Sequence, residues 1–128
     1  MPHEGNALKV RVITGSRERL RDPKRLAELE RVITGADLVL HGGAPGVDEQ
    51  AGEIAFSLSI HCMVVQALWR RRGRKAGPER NTVLAEIAAV FKRGGAEVVF
   101  GGFPASDSVG TWDCVRKLTA AGIEGDTY

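Results

Sequence analysis

Aromatic residues are scarce in this chain: four Phe, two Trp and one Tyr make up 5% of 128 residues. A base-stacking platform of the kind that single-stranded nucleic-acid binders use has little to be built from. Cysteine is nearly absent, with only Cys62 and Cys114. Their spacing fits no zinc site and one pair makes no disulfide framework, so both are expected to be buried thiols. Charge of one sign is not in excess either. A formal net charge of +2 argues against a chain held on nucleic acid by bulk charge. No apolar run reaches membrane-spanning length, and the N-terminus lacks a signal-peptide core, so the expected setting is the cytoplasm without membrane contact. No metal-ligand pattern and no resident cofactor are implied.

What the chain has in excess is glycine, sixteen in all, and most sit where an apolar run gives way to a helical pattern. The chain is expected to be one domain over residues 1–128, with residues 1–7 a loose lead-in; its 43% hydrophobic and 27% charged content is ordinary for a soluble globular protein. Short β-branched or apolar runs at Leu8 to Thr14, Asp37 to His41, Ile60 to Val65 and Ala96 to Phe100 predict strands. Between them, apolar residues recur at helical spacing. Asp22 and Pro23 start the first helix and Gly35 closes it. Val47, Ala51, Ile54, Ala55 and Leu58 stripe the second, and Leu84, Ile87, Ala88 and Phe91 the third, with Pro78 at its start. Gly110 to Ala121 predicts a fourth helix, and Ile123 a short last strand. Strands alternating with helices predict a Rossmann-like α/β fold, a parallel sheet with helices on both faces. Ligands of such sheets bind at the carboxyl ends of the strands, where the glycine turns would gather.

The most informative turn is His41-Gly42-Gly43-Ala44-Pro45-Gly46-Val47-Asp48. Strand, glycine turn and helix can make an anion site from first-turn amides, with Asp48 at the ligand edge; the alternative is a tight turn and nothing more. Gln66 to Gly77 carries Trp69, Arg70, Arg71, Arg72, Arg74 and Lys75 and reads as a basic, mobile loop. Gly101 to Val109 reads as a long glycine, proline and serine loop.

Four stretches occur in order: Thr14-Gly15-Ser16-Arg17, the His41 to Asp48 turn, Gly73-Arg74-Lys75-Ala76-Gly77-Pro78-Glu79-Arg80-Asn81, and Ser108-Val109-Gly110-Thr111-Trp112-Asp113. Together they resemble the SLOG superfamily, and within it the small YspA-like branch. Its relatives include the Lonely Guy phosphoribohydrolases, often mislabelled lysine decarboxylases, and the DNA-processing proteins. The resemblance runs from Leu8 to about Gly122. It implies a Rossmann-like domain that binds a nucleotide or nucleotide-derived small molecule, and a homodimer. Gly110 and Thr111 match the Gly-Thr of the Lonely Guy phosphate loop, Asp113 falls near its acidic position, and Arg80 matches its upstream arginine. Two departures weigh against hydrolysis: Gly101 to Asp107 replaces a Pro-Gly-Gly, and the acid is Asp where the family has Glu.

The expected catalytic pair is therefore Arg80 and Asp113. The expected ligand contacts are Gly15, Ser16, Arg17, Gly42, Gly43, Ala44, Asp48, Trp69, Arg74, Gly110 and Thr111, with Trp69 stacking on a base under a basic flap. Each has a plainer reading. Ser108 could merely cap its helix. Arg80 could pair with Glu79 or Glu86. Asp113 could serve the helix dipole from the first turn. His41 could line the site or be an internally satisfied histidine. Three functions follow: a binding or sensing domain, a phosphoribohydrolase acting on a nucleoside 5′-monophosphate through an oxocarbenium-like state, and, least favoured, a nucleic-acid-binding module.

Overall fold

The first strand, β1 (Lys9–Gly15), pairs along all seven residues on one side and from Val10 to Ile13 on the other, which makes it the axis of the sheet. In this computed structural model, which describes residues 7–128, α1 (Pro23–Ile33) follows it, then β2 (Leu38–His41), α2 (Val47–Ser57) and β3 (His61–Val64). The second half holds α3 (Trp69–Arg72), a 3₁₀ turn at Gly73–Lys75, α4 (Ala76–Arg93), β4 (Glu97–Phe103), α5 (Val109–Ala120) and β5 (Glu124–Thr127). The expected lead-in lies, apart from Ala7, outside the described residues.

All pairings are parallel and the strand order is β3-β2-β1-β4-β5. The chain moves outward in one direction from β1 to β3, then returns to place β4 against the other side of β1. That reversal opens a crevice beyond the carboxyl ends of β1 and β4, where open α/β sheets bind ligands. Side chains alternate across the sheet. Val10, Val12, Leu40 and Phe100 form one core with Leu84 and Ala88 of α4 and Cys114 and Leu118 of α5. Ile13, Val39 and Phe103 form the other with Leu29 and Ile33 of α1 and Val47 and Ala51 of α2. The Rossmann-like sheet with helices on both faces is therefore present.

Three expectations need correcting. The basic segment is not a loop: Trp69 to Arg72 is helical and α4 begins at Ala76, so Pro78 stands in its first turn. The run of arginines, all good helix formers, already allowed this. β4 continues through Gly101 and Gly102 to Phe103. Glycine there serves close packing, because a Cβ on Gly101 would lie 3.3 Å from Val32 of α1 and one on Gly102 would lie 3.0 Å from Val115 of α5. Cys62 is exposed, while Cys114 is buried as expected. The apolar run around Cys62 forms an edge strand, and all four residues of β3 are exposed. Among the described residues, no helix is long and apolar enough to cross a membrane.

Candidate functional site

A cavity of about 860 Å³ occupies the crevice at the ends of β1 and β4, within the range of small-molecule sites. Four segments wall it: Thr14 to Glu18 at and beyond the end of β1, Ala44 and Asp48 at the start of α2, Trp69 to Asn81 in part, and Ala105 to Asp113 in part. Gly15, Ser16, Arg17, Ala44, Asp48, Trp69, Arg74, Arg80, Gly110, Thr111 and Asp113 all line it. Gly42 and Gly43 do not. Four arginines (Arg17, Arg74, Arg80, Arg116) and four acids (Glu18, Asp48, Asp107, Asp113) share the lining, so binding rests on where each charge sits.

The turn before α2 is committed to itself. The Gly42 and Ala44 amides each donate to Asp48 Oδ2 at 3.1 Å. The Gly43 amide donates to His41 Nδ1, the Gly46 amide to Glu49 Oε1, and the Val47 amide to the Ser16 carbonyl. Every N–H from Gly42 through Val47 is thus engaged, which corrects the expectation of free amides there. The α2 start also carries its own acids, Asp48 and Glu49, in the first turn. They already answer the helix dipole and would repel a phosphate.

The α5 start is the opposite case. It has no acid in its first turn and no side-chain cap. Ser108 does not cap it; its hydroxyl accepts from the Ala105 amide at 2.6 Å and shapes the preceding loop. The Gly110 and Thr111 amides have no partner among the described residues, and both residues line the cavity. Gly110 is open space on the side a Cβ would take. A helix start with unpaired amides and no competing carboxylate is the stronger anion site of the two.

Arg80 is half-buried and lies in the second turn of α4. Its Nη1 donates to the Gly42 carbonyl and its Nε to Asn81 Oδ1. Glu79 pairs with Arg72 at 2.8 Å, and Arg80 makes no ion pair with Glu79, Glu86 or any other carboxylate among the described residues, so the surface-pair reading fails. Asp113 stands in the second turn of α5, so the first-turn expectation is corrected. Its Oδ2 accepts from Asn81 Nδ2 and Lys117 Nζ, each at 3.0 Å. Partial burial opposes its charge, but the Asn81 bond and Lys117 outweigh that and hold its pKa below the usual aspartate range. Asn81 joins the two candidate residues, since it also donates to the Gly110 carbonyl at 3.1 Å. Sequence reasoning gave Asn81 no role, although it follows Arg80 directly. It also missed Arg116, which lies 3.9 Å from Asp113 one helical turn on.

Asp48 is the contrasting carboxyl. Burial pushes its pKa up to about 6, against the Ala44 amide, the Arg80 charge and the Gly42 amide. His41 is buried, and desolvation and then Arg80 push it down; its Nδ1 accepts from Gly43, so it serves the turn, and it does not line the cavity. At the mouth, the Arg17 guanidinium lies over the Trp69 ring, 5.6 Å from its centroid, and Trp69 packs against Gly77.

A raised carboxyl pKa stabilises the fold at low pH, where the folded state holds a proton that the unfolded state releases. The contribution of Asp48 is full below pH 4 and is lost as pH rises towards about 6. Asp48→Asn is neutral throughout. Its stability relative to the wild type should therefore rise between pH 4 and pH 7, by roughly 2 kcal/mol. Urea unfolding of both proteins at the two pH values checks this; a difference that does not change with pH would contradict it.

The fold and the crevice define a Rossmann-like α/β protein with its candidate site at the sheet's switch point. The chain belongs to the family of the Gene 61 protein of Mycobacterium phage D29, to which it is 36% identical over 101 residues, 75% of this chain and 74% of that protein. Among solved structures it is similar to DNA processing protein A from Streptococcus pneumoniae, with a TM-score of 0.51 and 18% identity over 94% of this chain. That likeness is one of fold, and the chain spans 58% of that protein's length. No family model matches the chain.

Proposed function

We propose that this chain is a SLOG-like domain that binds a nucleotide or nucleotide-derived ligand in the crevice, with the phosphate on the start of α5. The observation that carries this is the pair of unpartnered amides at Gly110 and Thr111, opening into a cavity that Arg80 also lines. Arg80 has no acidic partner among the described residues, while the charge of Asp113 is already answered by Lys117 and Arg116, so the cavity offers net attraction for an anion near α4 and α5. Titrating the protein with the four ribonucleoside 5′-monophosphates by calorimetry is expected to give saturable binding of at least one. Absence of binding by all four at millimolar concentration would overturn the reading. A nucleotide ligand fits a cytoplasmic setting.

Turnover is a separate question. Asp113 is ionised and clamped, which suits a carboxylate that stabilises positive charge and not one that delivers a proton. If the chain were a phosphoribohydrolase, incubation with the bound monophosphate would release free base, and Asp113→Asn would stop it. The expected result is binding with little or no release.

One observation favours a second reading, a nucleic-acid contact. The exposed arginines of α3 follow Trp69, which lines the cavity, and a structure of similar fold bears the name DNA processing protein. Binding of single-stranded DNA that weakens steeply with salt would support it. A homodimer also belongs to this proposal, and light scattering that reports a monomer at high concentration would remove it.

A further inference from the structure

The two edges of the sheet are finished differently. β5 ends one side with Glu124-Gly125-Asp126-Thr127, and its acids would meet acids if two copies of that edge came together. β3 ends the other side with His61-Cys62-Met63-Val64. From Ile60 to Val65 there is no Asp, Glu, Lys, Arg or Pro, so the usual devices that keep an open edge unpaired are missing. All four β3 residues are exposed, and no strand pairs with the outer side of β3 among the described residues.

The outward backbone groups can be identified. Val65 donates to the His41 carbonyl at 2.9 Å, so its N–H points to β2. Backbone groups alternate sides along a strand, which turns the N–H and C=O of both Cys62 and Val64 outward. Apolar side chains flank this edge on both faces of the sheet. On one face Met63 is exposed and lies beside Leu40 in register. Arg80 reaches the Gly42 carbonyl beyond β2, and the exposed Val83 and Val90 follow on that side of α4 at helical spacing. On the other face Val64 is exposed beside His41. Gly52 packs against His41, and Phe56, 87% exposed, stands one turn further along the same side of α2.

We propose that β3 pairs with the β3 strand of a second copy of this chain, antiparallel across a two-fold axis, so that the two sheets run on as one. The register follows from the outward groups. Bonding Cys62 to the partner's Val64, and Val64 to the partner's Cys62, uses all of them. It sets Met63 opposite the partner's Met63 at the axis, a non-hydrogen-bonded pair about 4.5 Å apart at Cα. A second copy is the occupant that the chemistry favours. The edge has no full charge with which to select a charged peptide, whereas a two-fold brings matching outward groups and matching apolar flanks together. The assembly also closes, because both of its outer edges are then the acid-bearing β5. This rests on the homodimer proposed above and is independent of the nucleotide.

The test uses the full chain. Light scattering should report a dimer for the wild type. Met63→Lys sets two ammonium groups against each other at the axis and should weaken the dimer roughly 100-fold. Circular dichroism confirms that this variant, changed at an exposed side chain, is folded. In a Cys62→Ser background, Met63→Cys should form an intersubunit disulfide on mild oxidation, since about 4.5 Å lies within the roughly 4.4–6.8 Å that a disulfide spans at Cα. Cys114 is buried and cannot compete. Glu124→Cys in the same background, on the opposite edge, should not cross-link. A wild type that stays monomeric at high concentration overturns the pairing and the homodimer together. A dimer that survives Met63→Lys and does not cross-link through Met63→Cys overturns the pairing alone and moves the interface elsewhere.

Discussion

Gly46→Ala is expected to destabilise the protein by roughly 3–5 kcal/mol, combining a forbidden backbone conformation with an overpacked contact. Gly46 precedes α2 with φ +90° and ψ −121°, a region open to glycine and strained for any residue with a Cβ. The space is closed too: a Cβ there would stand 2.5 Å from the Ser16 carbonyl oxygen and 2.6 Å from that of Arg17. Both are backbone, so no rotamer change relieves the clash. Ser16 also accepts from the Val47 amide, and pushing the loops apart would break the bond that seats α2 against the end of β1. Gly35→Ala is the control. Its φ is +83° but nothing lies within 4 Å of the added Cβ, so it should lose only about 1 kcal/mol. Urea midpoints of the two variants measure the difference. Equal losses would mean that backbone strain alone, and not the approach of the β1 loop, governs the turn.

That prediction shows what the glycine-rich turn does, and why its meaning was only half legible. The turn's place between a strand and a helix could be read from Leu38 to Val47, because an apolar run followed by glycine and a helical stripe admits few structures. Its hydrogen bonds could not be read. Whether an amide is free depends on Asp48, His41, Glu49 and the Ser16 carbonyl, and the last comes from a loop distant in sequence. The same limit applies to charge. Asp48 and Asp113 look alike as letters, each near the start of a helix after glycine. Burial separates them, pushing Asp48 up while Asn81 and Lys117 hold Asp113 down. The strand boundaries at Gly101 and Gly102 were missed because a glycine that admits a neighbouring helix is written the same way as one that makes a turn. The order of elements and the two-faced core were readable because they rest on periodicity, which is local.

Arg80→Ala is expected to weaken nucleoside monophosphate binding by about 1.5–3 kcal/mol, the range for a hydrogen bond to a charged group. It will also act on the unliganded protein, because the residue is half-buried in the second turn of α4. Its loss leaves the buried Gly42 carbonyl and Asn81 Oδ1 each without a donor, and a destabilisation of about 1–2 kcal/mol should follow. Two further shifts identify the cause. Arg80 lowers the pKa of both Asp48 and His41, so both should rise in the variant and can be followed by NMR titration. Arg80→Lys separates charge from shape. A lysine keeps the positive charge and should hold the Asp48 pKa close to that of the wild type. It cannot reproduce the planar fork that reaches Gly42 and Asn81 while presenting a further N–H to a phosphate. Affinity should therefore stay low in Arg80→Lys even where the Asp48 pKa recovers. If Arg80→Ala loses stability but binds the monophosphate within a factor of about two of the wild type, well under the 1.4 kcal/mol of a tenfold change, Arg80 is a clip between α4 and the Gly42 turn. The phosphate would then be held by the α5 amides alone.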